Sequence, residues 1–301
     1  MLYLRATLTK EVKTVSIKNI GLIIPTYNAG KEFNDVLKLV NTQDDLLTKK
    51  LIIDSDSKDE TVEIAMKNGF NVKKICSKEF GHGKTRTLAA KLLKECHYII
   101  YMTQDVFLQP NALKELINFI EKNGSLGVVY GKQEVDIKKS NIFEQKARDF
   151  NYPNMSSIKN YEDRNKLGIK TVFSSDAFAI YNRSILEKVG FFPDVRFSED
   201  MIVAAKMIKA GHSVGYCAEA KVYHSHNYSL KEEYERMKNI GQFHRENSWI
   251  QDEFGSNESE GMKAVVNEFT YLIKRGKFYL IPQSFARFLF KYIGYKKGLK
   301  N

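Results

Sequence analysis

Ile20-Gly21-Leu22-Ile23-Ile24, stopped by Pro25-Thr26-Tyr27-Asn28-Ala29-Gly30, carries the pattern that decides the fold of this chain. An unbroken apolar run of this length predicts a strand covered on both faces, and the proline and glycine end it as a loop. Phe33, Val36, Leu37 and Val40 then recur at the spacing of one helix face. The unit repeats. Leu51-Ile52-Ile53 ends at Asp54 and leads to a helix bearing Val62, Ala65 and Met66; Val72 to Ile75 precedes a helix over Leu88 to Leu93. Tyr98-Ile99-Ile100-Tyr101-Met102 ends at Thr103-Gln104-Asp105, ahead of Leu113, Leu116, Ile117 and Ile120. Such alternation implies right-handed crossovers and an α/β fold, with a mainly parallel sheet flanked by helices. Open sheets of this kind bind ligands beyond the carboxyl ends of their strands, so Thr26, Tyr27, Asn28, Asp54, Asp56 and Asp105 are expected to converge on one crevice.

From Lys132 to about Lys170 the periodicity fades into a polar excursion holding Tyr152, Pro153 and Tyr161. Order returns at Ala177 to Tyr181, followed by a helix from about Glu199 to Ala210 and strands at Ser213 to Tyr216 and Lys221 to Tyr223. Beyond Ser229 the chain reads as helical. Val265, Val266, Phe269, Leu272 and Ile273 make one apolar face, and Phe285, Phe288, Leu289, Tyr292 and Ile293 another. The expected organisation is a main domain over 1–230, with halves at about 18–130 and 131–230, and a helical extension over 231–301.

Composition is ordinary for a globular protein, 43% hydrophobic and 28% charged, which excludes disordered and fibrous classes. The net charge of +11 admits nucleic acid, anionic lipid or a phosphorylated small molecule as partner and does not choose among them. Its distribution says more. Residues 269–301 carry eight basic side chains and no acidic one, leaving 39 basic against 36 acidic in the rest. A nucleic-acid or other polyanion binder would spread its basic groups along a groove with aromatics, so no nucleic-acid partner is expected. Three unpaired-looking cysteines, with no secretion signal or spanning segment in the sequence, point to a reducing, cytoplasmic setting.

Several residues could carry chemistry. Asp54, Asp59 and Asp105 stand at or just after strand ends, suited to a nucleotide with a divalent cation; Asp59 serves equally as a helix cap. Gly81-His82-Gly83-Lys84-Thr85-Arg86 opens a helix with free N–H groups and positive charge, fit for phosphate or for an ordinary helix start, and departs from the Walker loop. Ser198-Glu199-Asp200 opens another helix, either as cap and dipole-favoured acid or with a general base. His224-Ser225-His226 puts two imidazoles on one side of an extended segment, as metal ligands, bases or edge residues.

In their order along Ile20 to Ser229, Pro25-Thr26-Tyr27-Asn28, Asp54 to Thr61, Gly81-His82-Gly83 with Arg86, Gln104-Asp105, Ser198-Glu199-Asp200 and Val222 to His226 resemble family 2 glycosyltransferases with the Rossmann-like GT-A fold. The Thr-Gln-Asp and His-Ser-His variants look like the bacterial rhamnosyltransferase branch, which uses dTDP-rhamnose in cell-wall or surface polysaccharide synthesis. The resemblance implies a nucleotide-sugar half over about 18–130 and an acceptor half over 131–230. Pro25, Thr26, Tyr27, Asn28, Asp54, Asp56, His82, Gly83, Arg86, Gln104 and Asp105 would bind the donor, and Glu199 would face the acceptor. Asp200 matches the catalytic base of an inverting transfer. Asp105, with His224 and His226, would hold Mg²⁺ or Mn²⁺ on the diphosphate, although Thr103 replaces the first acid of the Asp-X-Asp signature. UDP- or GDP-linked hexose or amino-sugar donors are the rival within the family. The implied acceptor is a lipid-linked saccharide at the inner face of a bacterial membrane, and the basic tail would meet anionic lipid or pack on the body.

Overall fold

The computed structural model of the chain describes residues 19–256 and 258–300. The lead-in before Asn19, where the expected main domain begins, and the terminal Asn301 lie outside the described residues. In chain order the elements are β1 (Ile20–Thr26), α1 (Phe33–Asn41), β2 (Lys49–Asp54), α2 (Thr61–Lys67), β3 (Asn71–Lys74), α3 (His82–Leu92), β4 (Tyr98–Met102), β5 (Phe107–Leu108) and α4 (Ala112–Lys122). Then follow β6 (Leu126–Glu134), α5 (Ile142–Asn151), β7 (Ser157–Lys159), α6 (Arg164–Leu167), β8 (Phe178–Asn182), α7 (Arg183–Lys188), α8 (Glu199–Lys209) and β9 (Ser213–Tyr223). Four helices close the chain, α9 (Leu230–Glu246), α10 (Ser248–Phe254), α11 (Glu258–Lys274) and α12 (Ile281–Lys300).

The strands form one sheet in the order β3-β2-β1-β4-β8-β6-β9-β5, with β7 also on β9. Successive strand residues point to opposite faces, so the apolar runs feed two cores. Ile23, Ile53, Tyr101, Val128 and Tyr181 pack on one side under α8; Leu22, Ile24, Ile52, Ile100, Val129 and Ile180 pack on the other under α1 and α4. The first four strands are mutually parallel, as the alternation requires. Beyond them the sheet is mixed: β8 runs antiparallel between β4 and β6, and β5 and β7 run antiparallel to β9. Apolar runs signal burial and are silent about direction, so β8 could not be oriented from its sequence.

The second half differs from the sequence expectation in two further ways. The strands expected at 213–216 and 221–223 are one strand, β9, which shifts register against β6 after Gly131. The polar excursion is ordered by α5, β7 and short 3-10 turns. Glutamate, glutamine and arginine in α5 blur its apolar periodicity, although Phe143 is buried.

The extension is attached by an unexpected face. Ser284, Arg287, Gly294, Tyr295 and Gly298 of α12 are buried, whereas Phe285, Leu289, Tyr292 and Ile293 are 43–60% exposed. Backbone meets backbone on the packed side: a Cβ on Gly294 would stand 2.4 Å from the Tyr234 carbonyl oxygen, and one on Gly298 2.0 Å from that of Lys238. Arg287 is buried in an ion pair with Glu233, which Lys291 also approaches at 3.3 Å. These two cations therefore belong to the α9–α12 contact.

Candidate active site

Register places the first group of predicted residues. Thr26 pairs with Asp54 across β1 and β2, and the Thr26 hydroxyl donates to Asp54 Oδ2 at 2.9 Å. Asp54 also accepts from the Ser57 N–H at 3.0 Å, so this buried carboxylate organises the loop it begins. That loop is latched to the one after Pro25. Asn28 N–H donates to Ser57 Oγ, Lys58 N–H to Asn28 Oδ1, and Gly30 N–H to Asp59 Oδ2. Gln104, beyond β4, closes the set by exchanging two hydrogen bonds with the Tyr27 backbone at 2.9 and 3.2 Å. The Tyr27 ring is left 55% exposed at the carboxyl edge, available to stack on a base. Asn28 and Asp56 take positive φ, a conformation for which Asn and Asp are the tolerant side chains. Asp59 also accepts from the Thr61 N–H, and these bonds hold it below its ordinary range although burial opposes them.

Gly83 has a packing reason. A Cβ there would stand 1.8 Å from the Pro193 carbonyl oxygen, so only glycine lets the helix start pack against the 193 turn. His82 is exposed one residue earlier, in edge contact with Phe80.

Antiparallel pairing of β5 with β9 puts Phe107 opposite Tyr223, which brings Asp105 beside His224 and His226. One ligand atom from each of the three lies within 4.8 Å of the others. His224 Nε2 and His226 Nε2 stand 3.4 and 3.5 Å from Asp105 Oδ2 and 2.8 Å from each other. His224 Nδ1 meets Gln133 Oε1 at 2.8 Å; Arg148 donates to the same atom, which identifies it as the amide oxygen. Nδ1 is therefore the protonated nitrogen and Nε2 offers its lone pair inward, the second-shell arrangement of metal-binding histidines. One carboxylate and two imidazoles suit Mn²⁺ better than Mg²⁺. Burial works against charge on Asp105, yet whenever His224 and His226 also carry a proton on Nε2 their hydrogen bond and charge hold it well below the carboxylate range. Tyr228 stacks on the outer face of His226.

The third group is a buried cluster of acids around one base. Arg86 Nε lies 2.9 Å from Asp176 Oδ2 and its Nη1 2.6 Å from Glu199 Oε1, with all three residues at most 6% exposed. Arg86 and Glu199, expected on the donor and acceptor, are thus engaged with each other. Asp200 accepts from the Met201 N–H at 2.8 Å and from the Asp176 N–H at 3.4 Å. Three carboxylates surround a single guanidinium, so full ionisation would leave uncompensated negative charge in a low dielectric. Burial, then repulsion from Asp176 and Glu199, pushes Asp200 up to about 8; burial pushes Asp176 to about 6. Ser198, which turns the chain into α8, has φ 59°. An off-region backbone held just before a high-pKa carboxylate is characteristic of catalytic sites.

Gln133, Ser175 and Asp176 were not singled out by the sequence. Gln133 Nε2 donates to Ser175 Oγ at 2.8 Å, so one short chain of contacts joins His224 to Asp200. Asp176 precedes β8; because β8 is antiparallel, its amino end lies at the same sheet edge as the carboxyl ends of β1, β2 and β4. The strand-end rule reaches it only once strand direction is known.

Latched loops at the carboxyl ends of parallel strands, beside a candidate cation site and a carboxylate of raised pKa, suit a sugar-nucleotide transferase, and the chain belongs to glycosyl transferase family 2, whose model matches residues 22–190. It is a glycosyltransferase with the GT-A fold. It is 43% identical to the O-antigen chain rhamnosyltransferase RfbN of Salmonella typhimurium, over 93% of this chain and 89% of that protein. To the O-antigen chain rhamnosyltransferase WbaN of Salmonella anatum it is 41% identical, over 92% and 88%. Solved structures of the same fold include the mannosyltransferase PcManGT of Pyrobaculum calidifontis in complex with GDP-Man and Mn²⁺, at TM-score 0.55 and 14% identity over 94% of this chain and 73% of that one.

Proposed function

We propose that this glycosyltransferase moves rhamnose from dTDP-rhamnose to a hydroxyl of a lipid-linked saccharide, inverting the anomeric carbon, in surface-polysaccharide synthesis at the cytoplasmic face of a bacterial membrane. The observation that carries the reaction is the link between Asp200 and the Asp105–His224–His226 group through Asp176, Ser175 and Gln133 at one sheet edge. The two relatives above 40% identity favour rhamnose and an O-antigen chain.

In this reading Tyr27 stacks on the base, while Gln104 and the latched loops fix the nucleotide's position. Asp105, His224 and His226 hold the divalent cation, which when bound offsets the negative charge of the departing diphosphate. Asp200 accepts the proton of the acceptor hydroxyl as that oxygen attacks from the face opposite the diphosphate, so no covalent enzyme intermediate forms. Its raised pKa makes it a stronger base than an exposed aspartate.

A transfer and donor-hydrolysis screen against dTDP-rhamnose, UDP-sugars and GDP-sugars, with Mn²⁺ present, tests the reading. Turnover of dTDP-rhamnose with inverted product is expected. Turnover confined to a UDP- or GDP-sugar would replace the rhamnose assignment with a hexose or amino-sugar one, and a retained anomeric configuration would remove Asp200 as the base.

A further inference from the structure

The α11–α12 hairpin uses one side for packing and leaves another apolar side bare. Helix α12 docks on α9 through Arg287, Gly294, Tyr295 and Gly298, so its Phe285, Leu289, Tyr292 and Ile293, spaced at one helix face, point outward. At the hairpin turn Phe278 and Tyr279 are 66% and 70% exposed. Lys274 and Arg275 stand exposed just before this turn, and Lys297 and Lys300 at the far end of α12; Lys296 lies over the Tyr292 ring at 5.6 Å. No acidic residue occurs between Phe269 and Asn301.

We propose that this face is where the protein seats on an anionic phospholipid bilayer, the aromatic and aliphatic side chains entering the headgroup boundary and the flanking lysines meeting lipid phosphates. Rings at the water boundary with cations beside them are what an interfacial helix presents. Charge argues for lipid over a second copy of this chain, because two such faces brought together would oppose lysines with no carboxylate between them. Among the described residues no helix is long and apolar enough to cross a membrane; the proposed contact is one of side chains on the hairpin surface. The purpose assigned to it, keeping the enzyme beside a lipid-linked acceptor, rests on the function proposed above; the binding itself does not.

Co-sedimentation of the full chain with vesicles of phosphatidylglycerol and phosphatidylcholine, against phosphatidylcholine alone, tests the assignment. Binding to the anionic vesicles that weakens with salt is expected. Paired substitutions Phe285→Ser with Tyr292→Ser, and Lys297→Glu with Lys300→Glu, should each weaken it about tenfold or more. These exposed positions leave the fold intact, checked by circular dichroism, and transfer to a soluble acceptor should be unchanged. Equal vesicle binding by the variants, or none by the parent, overturns the proposal. So does a parent dimer that the serine pair converts to monomer in sedimentation velocity without any lipid effect. Vesicle binding without sugar transfer would instead fail only the glycosyltransfer reading.

Discussion

Asp200 is where sequence, burial and chemistry meet most closely. Its carboxyl is held near 8 by burial and by Asp176 and Glu199. With Asp200 as the proposed base its ionised form is the active one, so transfer should rise with pH and fall about tenfold per unit below its pKa. Asp200→Asn should cut kcat by at least about 10²-fold while leaving donor affinity nearly unchanged, read by turnover and by calorimetric titration with the nucleotide. Asp176→Asn removes one of the charges that raise Asp200, so the acidic limb of the rate profile should move to lower pH; an unmoved limb would exclude this coupling. On the cation side, Gln133→Leu frees His224 to turn and should weaken Mn²⁺ binding by about 10–100-fold. Asp105→Ala, which deletes a proposed ligand, should weaken both metal and donor.

At the level of elements, α12 is held by a close approach that only glycine allows. Gly298→Ala would drive a methyl group into the Lys238 carbonyl, and the helix must move away or α9 must bend. Overpacking of this kind costs about 1–3 kcal/mol, measurable as a lower denaturation midpoint. Hydrogen exchange should show α12 amides losing protection ahead of β1 and β4, since the sheet does not depend on that contact. Fast exchange unchanged in α12 would mean the Arg287–Glu233 pair alone secures it. A similar argument applies to α3, whose Gly83 meets Pro193 and whose Arg86 anchors Asp176 and Glu199.

Over the whole molecule, the buried acids tie stability to pH. Asp176 and Asp200 both have native pKa values above the ordinary unfolded value of about 3.9, so the folded state retains protons that the unfolded chain releases. Their contribution to stability is full below about pH 4 and is lost as pH rises through about 6 and then 8. The melting temperature should therefore decline from pH 5 to pH 9, and Asp200→Asn should flatten the upper part of that decline. The same substitution would then stabilise the protein at alkaline pH while disabling it.

How much of this was legible in the residues depended on which force wrote it. Consecutive burial wrote Ile20–Ile24 and Tyr98–Met102 as apolar runs, and turn chemistry marked where Thr26, Asp54 and Asp105 would stand, so the α/β class and the sheet edge that gathers these residues followed from the sequence. The ordered motifs were enough for the family and for Asp105, Asp200, His224 and His226 as residues to watch. Only the tertiary structure decided what pairing and packing control. Strand direction brought Asp176 to the site edge, because an apolar run has no polarity along the chain. Burial spent Arg86 on Glu199, because a guanidinium is compensated by whichever carboxylates share its low dielectric. The basic tail shows the division best: its stripe of Phe285, Leu289, Tyr292 and Ile293 could have packed or faced outward, and three glycines at the α9–α12 contact, letting two backbones touch, turned it out.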